Sequence, residues 1–141
     1  MASEAARKLA GARWIAVGIY AAVLVIFPLV GRHVRLEASL DPAASRILLA
    51  ALGMVAIADY ALSLFLEDRM LTGGGSGRRA PPATTALVVA TVGASLAAYG
   101  LVASLLIGQG SGFPFYALAL VHWVHLMLRW PSYERAAGNA F

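Results

Sequence analysis

Asp59, Ser63 and Glu67 stand at i, i+4 and i+8, a spacing that lines one side of a helix. His122, His125 and Arg129 stand at i, i+3 and i+7, which is again one side. The first stripe is acidic and starts inside ILLAALGMVAIADYALSLFL; the second is basic and interrupts FPFYALALVHWVHLML. A carboxylate at hydrocarbon depth is expensive unless partnered, so Asp59 demands an explanation. Three chemistries fit such groups. The first is fastening of helices, where interhelical polar contacts contribute about 0.6 kcal/mol on average. The second is a proton or cation path, with Asp59 accepting the ion and His122 and His125 relaying it. The third is ligation, with His122 or His125 as an axial ligand to haem or a pigment metal.

Fastening stands first among these. A metal centre needs further ligands, and Asp59 is the obvious third group at that depth. The chain carries no His-Glu-x-x-His, no phosphate-binding lysine loop and no nucleophile elbow, and GGGSG lacks the lysine such a loop requires. No enzymatic activity, resident metal or cofactor is expected.

The elements that must position these residues are read from hydropathy. The 141 residues are 60% hydrophobic and 13% charged, with mean hydropathy +0.76. Soluble domains run near about 25% charged, so lipid is the expected solvent. The absence of cysteine removes disulfides and thiolate chemistry. Four spans are expected, at about 14–30, 47–66, 84–108 and 113–129. The fold class is therefore all-α, an integral membrane four-helix bundle of two hairpins forming one domain. The first span reads as a retained helix, because PLVGRH offers no small-x-small cleavage site. The fourth is short, about 24 Å if fully helical, with Trp130 and Tyr133 at its interface. Asp41 is placed to cap the second helix ahead of Pro42, and 71–83 (LTGGGSGRRAPPA) reads as a flexible linker between the hairpins.

Eight Lys and Arg residues flank one side (Arg7, Lys8, Arg13, Arg69, Arg78, Arg79, Arg129, Arg135) against three on the other (Arg32, Arg35, Arg46). This bias predicts a multi-pass protein of the cytoplasmic (inner) membrane with both termini in the cytoplasm. The same spread of basic residues through loops points to lipid headgroups and gives no support for nucleic acid as a partner. Within this topology Asp59 and His122 lie at similar depth, about 10 Å from the cytoplasmic ends of their helices. The expected pairs are Asp59 with His122, joined by Tyr20 from the first helix, and Glu67 with Arg129 nearer the interface. For Glu67 and Arg129, snorkelling to water is the simpler expectation.

The third helix carries Ala86, Ala90, Ala94 and Ala98 at i, i+4 spacing, with Gly93, Gly100 and Ser104 beside them. Small surfaces of this kind let helices approach closely, within one bundle or between copies, so self-association or a larger membrane complex is the expected partner. The run Ala94-Ser95-Leu96-Ala97-Ala98-Tyr99-Gly100-Leu101-Val102 resembles the carboxylate helix of rotary ATPase subunit c. Ala94 occupies the ion-carrying glutamate position, so that role is not carried over. The C-terminal third, with Phe115-Tyr116, an apolar run and Arg129-Trp130-Pro131, resembles uncharacterised small four-span bacterial membrane proteins. That resemblance implies a bacterial, multi-pass topology and no activity.

Overall fold

The protein is described by a computed structural model covering residues 4–34, 40–73, 79–108 and 110–138. Four helices follow in order: α1 Glu4–His33, α2 Pro42–Thr72, α3 Pro82–Leu106 and α4 Phe113–Gly138. They form an all-α four-helix bundle, and no strand occurs among the described residues. Arg35, Arg78, Gln109 and most of the glycine tract of the 71–83 linker lie outside the described residues.

Local chemistry sets the helix ends. The Asp41 carboxylate accepts from the Ala43 and Ala44 amides at 2.8 and 2.9 Å, with Pro42 opening α2. Gly73 ends α2 at φ 88°, a left-handed conformation that glycine adopts without a Cβ penalty. Pro82 opens α3. Beyond Leu106 the chain turns tightly, and the Ser111 hydroxyl lies within hydrogen-bonding distance of the Ala103 and Gly108 carbonyls.

The helices run past the apolar stretches that announced them. α1 begins ten residues before the expected Trp14, in an amphipathic segment whose first turn carries an exposed Lys8–Glu4 pair at 2.7 Å. That lysine holds the Glu4 carboxyl below its ordinary value. α4 is longer than the expected fourth span and continues through Pro131 to Gly138. A proline forfeits one helical hydrogen bond. Here the extra turns bury Trp130, Tyr133 and Ala137 against Leu9 of α1 and Ala86 of α3. At 26 residues α4 is about 39 Å long, so length no longer limits it.

Two clusters define the core and the up-down-up-down course. One joins the start of α1 (Leu9, Ala16), the start of α3 (Ala86, Val89, Ala90) and the end of α4 (Leu126 to Ala137), with Leu71 of α2 against it. The other joins the opposite ends, through Ala56, Leu96, Ala97, Ala103, Phe115 and Ala119. α3 packs against all three other helices, most extensively α1; α2 and α4 meet over a short stretch, and among the described residues α1 and α2 do not pack against one another. Gly31 of α1 faces Ser104 so closely that a Cβ would lie 2.8 Å from the serine Cβ.

α1, α2 and α3 are each long and apolar enough to cross a membrane. Their outer faces are apolar, with Ile15, Val25 and Ile26 of α1 and Ile47, Met54, Ile57 and Phe65 of α2 all exposed. Leu120, Val121, Val124 and Leu128 continue that surface on α4. So continuous an apolar exterior suits lipid as solvent. α4 interrupts its apolar run with two histidines and Arg129 and is less apolar over a membrane-spanning length than the other three.

Candidate functional site

All four helices meet at His122. Its position on α4 belongs to a buried stripe of Phe115, Ala119, His122, Leu126, Trp130, Tyr133 and Ala137, which keeps helical phase over the whole element. The imidazole is fully buried. Nδ1 lies 2.6 Å from the Tyr20 hydroxyl of α1, and Nε2 lies 2.6 Å from the Ser63 hydroxyl of α2. α3 contributes Gly93, where an added Cβ would run into the Tyr20 hydroxyl and the His122 ring. The Tyr60 ring stands edge-on to the imidazole, with centroids 5.5 Å apart.

Hydrogen-bond counting assigns the tautomer. Ser63 has one hydroxyl proton, and it donates this to the Tyr60 carbonyl at 2.9 Å. It therefore accepts from His122 Nε2–H. In the neutral ring Nδ1 is then an acceptor, and Tyr20 donates to it. One direction runs through the cluster: Tyr20 O–H to His122, His122 N–H to Ser63, Ser63 O–H to the α2 backbone. Protonating Nδ1 would leave the buried Tyr20 hydroxyl proton without this acceptor. The geometry suits a neutral, satisfied core histidine.

One turn further along α2, Glu67 is only 2% exposed. Its two oxygens face His125 Nε2 at 3.0 Å and Arg129 Nε at 3.4 Å. The expected Glu67–Arg129 pair is thus formed, but the carboxylate is buried where a snorkelling side chain was anticipated, and His125 shares it. Tyr133, fully buried one turn beyond Arg129 on α4, stacks on Trp130 with ring centroids 5.5 Å apart.

The expected Asp59–His122 pair is not formed. Asp59 is half-buried and turns to α3, where Oδ2 accepts from the Tyr99 hydroxyl at 2.5 Å and lies 3.2 Å from Ser95 Oγ, whose one proton also has the Val92 carbonyl at 2.6 Å. The reason is helical phase. At about 100° per residue, each i+4 step rotates by about 40°, so Asp59 and Glu67 point about 80° apart. The stripe winds from α3 at Asp59, through Ser63, to α4 at Glu67. Of the expected intramembrane cluster, the structure brings together Tyr20, Ser63 and His122; His125 belongs with Glu67, and Asp59 stands apart.

The same drift acts on the small residues of α3. Ala86, Ala90 and Ala94 are buried, but Ala98 has rotated to a half-buried position. Gly93, Ala97 and Gly100 complete the inward face in its place. Gly100 meets Gly112 at the mouth of the α3–α4 hairpin, an approach that a Cβ on either glycine would obstruct.

Ser95 and Tyr99, at i, i+4 spacing on α3, are the partners of Asp59 that hydropathy and charge do not single out. Gly93 was visible only as one small residue among many. Among the described residues, no three His, Asp or Glu side chains gather into a group suited to a metal. Both ring nitrogens of His122 are engaged. No family model, curated protein or solved structure matches the chain.

Proposed function

We propose that the chain is a small, non-enzymatic, multi-pass component of a bacterial inner membrane, which packs with itself or within a larger membrane complex. Its intramembrane polar groups are fasteners that fix helix register. The observation that carries this reading is His122, satisfied on both nitrogens by α1 and α2 while lying against glycine on α3. A lipid-facing exterior supplies no drive for helices to choose one register, whereas a buried polar group discriminates strongly between satisfied and unsatisfied positions. The eight-to-three bias of basic residues supports cytoplasmic termini on the side where α1 begins and α4 ends.

Proton or cation conduction through Asp59 and His122 draws no support from the geometry, because the two groups belong to different clusters. Haem or pigment ligation by His122 would require breaking one of its two hydrogen bonds. The experiment that separates these readings is paired. Purified His122→Phe protein should lose thermal stability in detergent, and wild-type proteoliposomes should pass no more protons than Asp59→Asn ones. A proton flux that disappears with Asp59→Asn would defeat the fastener reading.

A further inference from the structure

The N-terminal part of α1 and the C-terminal part of α4 enclose a hollow of about 580 Å³. Its walls divide by chemistry. Leu9, Val17 and Met127 line it with hydrocarbon, while Arg13 and Glu134 bring opposite charges to the same space. The Arg13 guanidinium rests 5.7 Å from the centre of the Trp130 ring. The ion pairs among the described residues are Lys8–Glu4, His125–Glu67 and Arg129–Glu67, so neither Arg13 nor Glu134 is neutralised by a salt bridge. Both are exposed. Arg13 immediately precedes the apolar run of α1, and Glu134 follows Trp130, so both sit at headgroup level with tryptophan beside them.

We propose that this hollow seats one phosphatidylethanolamine molecule, with its phosphate on Arg13, its ammonium on Glu134 and an acyl chain along Leu9, Val17 and Met127. The match is one of charge order. A phosphate alone would meet Arg13 but be repelled by Glu134, which disfavours phosphatidylglycerol. A choline headgroup has no N–H to donate to the carboxylate, which disfavours phosphatidylcholine. The proposal rests on the membrane placement of the helices and is independent of what His122 does.

The test is native mass spectrometry of the full chain, released from micelles containing equal amounts of the three lipids. Wild-type protein should retain phosphatidylethanolamine in preference to the other two. Glu134→Gln should lower that retention about fivefold and bring it level with phosphatidylcholine, as expected for losing one exposed charge contact. Glu134→Lys should turn the preference toward phosphatidylglycerol, and Arg13→Gln should weaken retention of all three. Equal retention of the three lipids by wild type, a wild-type preference for phosphatidylglycerol, or an ethanolamine preference that survives Glu134→Lys would each overturn the assignment. His122→Phe serves as the control: it should lower stability without changing lipid order.

Discussion

His122 and Asp59 are both polar intrusions into apolar helices, yet they meet opposite fates. His122 is fully buried where α1, α2, α3 and α4 converge, and each ring nitrogen has a partner on another helix. Asp59 is half-buried at the α2–α3 seam and is held by the Tyr99 hydroxyl, with Ser95 beside it on the same helix. The more conspicuous residue in the sequence is therefore the more peripheral one in the fold. What separates them is phase. His122 lies on the buried stripe that α4 keeps along its length, whereas α2 buries only Ala56, Ser63 and Glu67, and Asp59 falls off that line.

If the His122 node is the register-setting contact, crowding it should have the largest effect. Gly93→Val forces a side chain into the Tyr20 hydroxyl and the imidazole, and should lower stability by about 3 kcal/mol, read as a fall in melting temperature in detergent. His122→Phe keeps an aromatic ring at the site but strips both hydrogen bonds, leaving Tyr20 without its acceptor; about 2 kcal/mol is expected by the same measurement. Asp59→Asn should lie near the average for a membrane polar contact, about 0.6 kcal/mol. A drop for Asp59→Asn equal to that for His122→Phe would erase the distinction between core and seam.

The finest test is a pair of double-mutant cycles. Asp59→Asn and Tyr99→Phe remove two ends of one hydrogen bond and should be coupled, with about 0.6 kcal/mol of non-additivity. Asp59→Asn and His122→Phe should add to within about 0.5 kcal/mol, since no contact joins them. Coupling in the second cycle and none in the first would restore the pairing that the structure rejects.

Much of the scaffold was legible because apolar length is a strong signal. Residues 47–66 and 84–108 fall within or almost wholly within α2 and α3, and Asp41 caps α2 as its position before Pro42 indicated. The helix ends were less legible. Glu4–Arg13 and Arg129–Gly138 are too mixed in composition to register as apolar, and Pro131 reads as a stop although tertiary burial carries α4 through it. The sequence shows which polar residues enter the apolar helices but not which of them pair. Tyr20, Ser63 and His122 share one neighbourhood, whereas depth alone places Asp59 beside them. Depth is readable from residue count, but the direction in which a side chain points also depends on how α2 lies against α3 and α4. That angle is a property of the packed bundle.

The glycine contact at the α3–α4 hairpin bears on how this chain tolerates change in length. With Gly112 seated against the Gly100 carbonyl, α4 has no slack along α3 at that crossing. One extra residue pushed into α4 from the turn would slide the helix by about 1.5 Å and rotate it by about 100°. Such a shift would swing the imidazole out of reach of both hydroxyls while leaving every side chain chemically intact. The address of His122 is written in the loop as much as in the histidine, so an insertion at the turn would act as a loss of His122 without altering the residue itself.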